Sequence, residues 1–395
     1  MAIGSGAGTI VSGQRKLVDI ATARKKPQFT GETINISGDV APLYLLIKKL
    51  GKSKKVNQAS YFHLETDWLP VEVTNTTVGT GTTVTITAGH EVRVAVGTIL
   101  LCTRTGELMR VATVASGSLG VDRGVGGGGP GAVALQNPEP LLIVGFADTE
   151  GNTSPSGKSS EPTSKTNYCQ TFRQALELSG RDLESDNYGP GELERIKGDA
   201  LEAITQNMEK SFLLNNCTGT ATDPSMTAGV LGLVTTNAYD VAGALTETAL
   251  TDNFITPWFR RNNSKKRMMV FAGEKFLRAL GQFGLDNIRY ASSDTGIGIS
   301  VMKYRTNFGE VECVRHGLLT PVGNSNSAAT YGMQGYAFGL NMEYVGKRVF
   351  GDRELQLLKD RQTPDRDGIK WEYLSDEGFY LASESQHAIL KGITG

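Results

Sequence analysis

Four histidines, His63, His90, His316 and His387, are the residues from which acid–base or metal chemistry would first be built. Only His90 stands in a suggestive pair. His90-Glu91 opens like the zincin pattern His-Glu-x-x-His, but the second ligand would fall at Val94. The other three are isolated in sequence, and a solitary histidine in a strand is read as structural. No Gly-x-Ser-x-Gly occurs, so the strained turn that exposes a hydrolase serine has no candidate. Gly157-Lys158-Ser159 ends like a phosphate-cradling loop, yet the leading glycine would have to be Asn152, and no apolar strand leads into it. The glycine runs at 4–8 and 126–129 lack the strand–turn–helix setting of a dinucleotide fingerprint. Asp182-Leu183-Glu184-Ser185-Asp186 starts like a calcium loop, but its twelfth position is Leu193 where a bidentate glutamate is needed. Cys102, Cys169, Cys217 and Cys313 are too widely spaced for a zinc or disulfide framework and read as reduced thiols. No catalytic, cofactor-binding or metal-ligating residue is therefore assigned, and the chain is expected not to be an enzyme.

The elements around these residues point elsewhere. Residues 1–55 hold ten lysines and arginines, among them Arg15, Lys16, Arg24, Lys25 and Lys26, against three acids, a net charge of +7. The remaining 340 of the 395 residues then carry −8, for a total of −1. A basic, Gly/Ser-rich leading arm on a mildly acidic body reads either as a segment that meets an anionic surface or as a solvated flexible tail. It holds few aromatics, so base stacking is not expected. No run approaches the ~18 apolar residues of a membrane span, and no secretory leader is visible. The expectation is a soluble, intracellularly made protein.

A short helix is expected over 43–50, closed by Gly51. From 61 to 146 the runs 82–87, 91–94, 97–103 and 108–114 are rich in β-branched residues and punctuated by glycines, which predicts a small β-rich subdomain. It ends in a glycine-rich loop over 124–131 and a last strand over 140–147, followed by a Ser/Thr/Pro linker over 151–165. Gly189-Pro190 then introduces the strongest periodicity in the chain. Leu193, Ile196, Leu201, Ile204, Met208 and Phe212 recur at helical steps and are expected to form the buried face of a helix over 190–214, with Gly198 marking a bend or a close contact. Further on, strands are expected at 268–272, 301–306, 311–316, 337–345, 353–358, 369–374 and 379–383, with a helix at 274–283.

Several stretches in this order resemble the major capsid proteins of tailed bacteriophages. They are 41–55 leading into Tyr61-Phe62-His63-Leu64-Glu65-Thr66-Asp67-Trp68, then Thr105-Gly106-Glu107-Leu108, Val121-Asp122-Arg123-Gly124, Asn167-Tyr168-Cys169-Gln170, the helix over 191–214 and Thr306-Asn307-Phe308-Gly309. The resemblance covers most of 35–395. Cys169 stands where threonine is expected, and Arg181 where a small residue is usual.

The resemblance implies an α+β chain with the Hong Kong 97-type (HK97-like) capsid fold. It implies an N-terminal arm over 1–55 and an extended loop over 56–175 with a β-rich insertion at about 71–150. A peripheral domain would comprise 176–232 and 336–395, and an axial domain 233–335. It further implies self-assembly into hexamers and pentamers of an icosahedral shell around double-stranded DNA, made in the bacterial cytoplasm and resident in the virion. Scaffold and portal proteins, a decoration protein and non-specific contact with packaged DNA are the partners it suggests; no cofactor or membrane is expected. Arg15, Lys16, Arg24, Lys25, Lys26, Trp68, Arg104 and Arg123 are expected at contacts between copies. The alternative is another virion or tail component that uses the β-rich insertion as a binding module.

Overall fold

The computed structural model describes residues 41–66, 71–127, 129–148, 150–151, 161–185, 191–220, 222–260, 268–283, 288–290, 301–319 and 333–394. The chain is α+β and divides into two units, residues 64–165 and the remainder.

In the larger unit, the strands Ser53–Val56, Val345–Phe350, Ile369–Leu381 and Gln170–Leu178 form one sheet in that order, with Gln356–Leu358 also paired to Ile369–Leu381. A seven-stranded sheet runs Ala238–Gly243, Ala388–Ile393, Ala337–Asn341, Met268–Ala272, Gly309–Arg315, Val301–Thr306, Ile288–Tyr290. Every residue of Met268–Ala272 is buried, because both faces of that sheet are covered. Met269 and Phe271 pack into a core with the long helix Glu192–Leu214, while Met268, Val270 and Ala272 pack against Trp258, Phe254 and Phe276 on the other side.

The long helix was legible from its period, and the structure corrects its buried face. Ala200, Ile204, Met208, Glu209, Phe212 and Leu213 are buried, whereas Leu193 and Ile196 are half-buried and Leu201 is 40 % exposed. Leu201 projects in nearly the same direction as Met208, seven residues on. It stays exposed because the packing that buries Met208 does not extend to it. Gly198 is exposed, with nothing within 4 Å of a Cβ built there, so it marks no close contact.

Other expectations are also corrected. The helix Pro42–Lys49 and strand Ser53–Val56, assigned to the arm, belong to the body: Leu43, Leu46 and Ile47 lie in the main core, and Ser53–Val56 pairs in parallel with Val345–Phe350. The segment expected as a strand at 91–94 is mostly a 3-10 turn, His90–Arg93, led by Gly89 in the left-handed region. The two strands expected at 369–374 and 379–383 are one, Ile369–Leu381. The segment 337–345 instead breaks after Asn341, and a new strand starts at Val345. Ala337–Asn341 and Ala388–Ile393 lie in the seven-stranded sheet with Met268–Ala272. The C-terminal strands are thus shared between two sheets, where the sequence had placed them together in one domain.

The unit 64–165 is a six-stranded antiparallel sheet in the order Glu72–Asn75, Glu139–Phe146, Thr98–Cys102, Leu108–Ala115, Ser118–Arg123, Thr83–Thr85. Its own small core contains Val73, Val84, Leu100, Met109, Val111, Leu119, Val121 and Leu141. The chain runs between the two units through both strands of a two-stranded ribbon, Ser60–Glu65 and Thr163–Tyr168.

Candidate functional site

A group of fully buried polar residues of the larger unit, among them Glu209, Lys347 and Glu377, meets the helix Pro42–Lys49. Proline at its first position suits the helix, but its N-cap, Ala41, has no side chain to cap the free amides. Glu209 of the long helix does this from a distance. Its Oε1 accepts the Leu43 amide at 2.8 Å and its Oε2 the Tyr44 amide at 2.7 Å. A fully buried carboxylate is thus satisfied by orphan N–H groups at the positive end of a helix. His316 Nε2 lies 2.7 Å from Glu209 Oε1, and the ring stands edge-on to Phe271.

On the strand Val345–Phe350, Lys347 is fully buried. Its ammonium donates to Glu354 at 2.8 Å, to both oxygens of Glu377 at 3.1 Å and to the Tyr44 hydroxyl at 3.2 Å. Ser375 and Tyr44 also donate to Glu377. Burial by itself lowers the lysine pKa, but Glu377, Tyr44 and Glu354 outweigh it and hold the group above its ordinary value. Burial and the Glu377 charge raise the Tyr44 hydroxyl in the same place. These groups are hydrogen-bonded to one another and tie the helix Pro42–Lys49 to the strands that carry Lys347 and Glu377.

A second buried tie is Asn167, whose amide group accepts from Tyr168 and Ala228 and donates to the carbonyls of Ala228 and Phe379. Tyr61 donates to the same Phe379 carbonyl at 2.6 Å. This packing requires Gly378, where a Cβ would sit 2.5 Å from the Tyr61 oxygen.

In the β-rich unit, Arg104 and Arg123 are engaged inside the unit itself. Arg123, 5 % exposed at its side chain, forks onto Glu107 with two 2.6 Å bonds and also donates to the carbonyls of Val133 and Gly81. Glu107 in turn accepts the Val133 amide. Arg104 donates to Glu139 at 2.8 Å and to the Ala134 carbonyl at 2.7 Å, while Glu139 accepts the Gln136 amide and the Cys102 thiol. Desolvation would raise both carboxyls; the arginines and backbone amides prevail and hold Glu107 and Glu139 below the usual carboxylate range. The two arginines expected at contacts between copies therefore staple the glycine-rich loop to its sheet. Arg15, Lys16, Arg24, Lys25, Lys26 and Trp68 lie outside the described residues.

The histidines are held singly. The His90 Nδ1 accepts the Thr74 amide and the His387 Nδ1 the Asn341 amide, while His63 packs edge-on against Tyr380. Among the described residues no group of three or more His, Cys, Asp or Glu is placed to hold a metal ion. All four cysteines are free, and burial pushes the Cys313 thiol up to about 12; burial, with Asp376 and Glu377, does the same for Cys169. No described helix is long and apolar enough to cross a membrane.

The described surface also exposes large apolar side chains. Phe62 and Leu64, on one face of the ribbon strand, are 68 % and 62 % exposed. On the β-rich sheet, Leu142, Val144 and Phe146 alternate outward from Glu139–Phe146 and stay exposed. Across nearly the whole chain, residues 9–394, the sequence matches the family model of the SU10 major capsid protein.

The chain belongs to that family.

The match decides for a major capsid protein of a phage shell and against a tail component, and it places the protein in the virion. The family is one of structural proteins. No curated protein sequence matches the chain. Among solved structures, the capsid of a native GTA particle is 10 % identical with a TM-score of 0.48, covering 94 % of this chain and 96 % of its own. The Microbacterium phage Oxtober96 structure is 10 % identical, with a TM-score of 0.46 and coverages of 93 % and 96 %. The holo-SrpI encapsulin complex of Synechococcus elongatus is 10 % identical, with a TM-score of 0.44 and 97 % of each chain covered. At such identities these likenesses stand beside the family assignment and do not carry it.

Proposed function

We propose that this capsid protein is a Hong Kong 97-type subunit that closes into hexameric and pentameric capsomers of an icosahedral shell around double-stranded DNA. Residues 61–170 act as a flap that lies over an adjacent copy. The observation that carries this reading is the two-stranded ribbon with Phe62 and Leu64 mostly exposed. A two-stranded ribbon is marginal in water without something to cover it. Head-to-tail contacts that close into rings are the symmetry such a flap serves. The long helix and the five-stranded sheet form the peripheral part of the subunit, and the seven-stranded sheet its axial part. The basic arm over 1–35 reaches neighbouring copies, with salt-sensitive contact to packaged DNA as its secondary role. Scaffold, portal and decoration proteins complete the assembly, which takes place in the bacterial cytoplasm, and the subunit itself performs no catalytic step. Electron microscopy of the expressed full chain tests this. Closed shells or capsomer rings are expected; strictly monomeric protein at high concentration contradicts it.

A further inference from the structure

Side chains of the strand Val345–Phe350 alternate between two environments, and the alternation leaves one charge unanswered. Lys347 points into the core and meets Glu377 and Glu354. Arg348, the next residue, points to the opposite face. Its guanidinium carbon lies 3.6 Å from the centroid of the Tyr380 ring, and Nη1 donates to the Lys347 carbonyl at 3.3 Å. It also hydrogen-bonds the Tyr380 side chain, and no ion pair with a carboxylate is found for it among the described residues. Burial lowers its pKa, the mark of a cation partly stripped of water without a full counter-charge.

Its surroundings add positive charge. In the sheet register Lys54, which is exposed, stands beside Arg348 on one side and Gly378 on the other, so the three share one face. Gly378 has no side chain, and Tyr61 occupies the space above it. Tyr380 is further braced by the His63 ring at 5.0 Å. Stacking on an aromatic ring holds a guanidinium flat, and a planar guanidinium matches the two oxygens of a carboxylate.

We propose that Arg348, with Lys54 beside it, is the receptor for a carboxylate presented by a second copy of this chain. The inference rests on the shell reading and deepens it by naming a polar contact between copies. Charge complementarity selects the occupant: residues 56–395 carry a net −8, so acids outnumber bases in that part of another copy. Binding to DNA draws on many exposed cations tracking phosphates, whereas this row holds two, one of them sunk against a tyrosine.

The test uses the full chain with Arg348→Gln, Arg348→Glu and Arg348→Lys, following thermal unfolding and the protein concentration at half-assembly. The glutamine variant keeps a flat group over Tyr380 and is expected to melt with the parent while raising the half-assembly concentration about tenfold, the worth of one charged contact. Arg348→Glu is expected to raise it further, and Arg348→Lys to recover part of the loss. A reconstruction of parent particles is expected to show a carboxylate of a second copy about 3 Å from the guanidinium. Parent-like assembly of Arg348→Glu overturns the inference while leaving the shell reading intact. So does a guanidinium facing a DNA phosphate or bulk water, or an Arg348→Gln chain that fails to fold. A parent chain that stays monomeric overturns the shell reading, and this inference with it.

Discussion

Glu209 caps a helix to which it does not belong: its Oε1 accepts the Leu43 amide at 2.8 Å, across 166 residues of sequence. The bond fixes the helix Pro42–Lys49, and so the point from which the arm departs, onto the long helix of the body. Leu43 itself is fully buried in the same core, so the polar cap and the apolar packing hold one element together.

Replacing Glu209 with Ala leaves two buried amides and the His316 Nε2 without their acceptor. A loss of about 2–4 kcal/mol is expected from orphaned buried donors. Glu209→Gln, which retains one acceptor oxygen, is expected to lose less than Glu209→Ala. Denaturant unfolding measures both, and equal stability of Glu209→Ala and parent would show that the cap contributes nothing.

Arg123 and Glu107 make the β-rich unit acid-sensitive. Because the folded-state pKa values of Glu107 and Glu139 are depressed below 4.5, their stabilisation is present above the unfolded carboxylate value and is lost as pH falls through the folded one. Amide protection over 124–138, relative to the intrinsic exchange rate, is therefore expected to fall below about pH 4, and Arg123→Ala to lower it already at neutral pH. Breaking the buried pair should cost about 3 kcal/mol. Protection that is unchanged by pH and by Arg123→Ala would contradict the staple.

Ile204 and Leu201 separate what the sequence shows from what packing decides. Ile204→Asp buries a charge in the main core and should abolish cooperative folding. Leu201→Asp, at a 40 % exposed position, should cost no more than about 1 kcal/mol. Melting both variants checks this, and a severe loss for Leu201→Asp would mean that its face is covered.

The same pair explains how far the sequence could be read. A helical period predicts which residues share a face, so the helix Glu192–Leu214 was legible, as was the strand Met268–Ala272 from its unbroken apolar run. Where the cover ends is a tertiary fact, and Leu201 was misplaced for that reason. The basic residues were read by sign alone. Arg104 and Arg123 looked like contacts because the acids that neutralise them, Glu139 and Glu107, come close only once the strands pair. Glu209 carried a faint signal, a charge set among Met208, Phe212 and Leu213, but its partner is a backbone amide, which no side-chain pattern reveals. Arg348 was hidden likewise: it directly follows Lys347, and only the pleat shows that one is answered and the other is not.

Deleting residues 1–35 should leave the body folded, because the helix Pro42–Lys49 and everything packed on it remain. Assembly should nevertheless be impaired through loss of the basic arm. Unfolding curves matched to the parent, together with few or malformed particles, are the expected result; normal shells from the truncated chain would refute the role given to the arm.

A reconstruction of assembled particles at side-chain resolution tests the central claim most directly. The account predicts that Phe62, Leu64 and the outward face of the β-rich sheet are covered by another copy of the chain in every capsomer. If those residues face solvent throughout the particle, or are covered only by their own subunit, the account is contradicted.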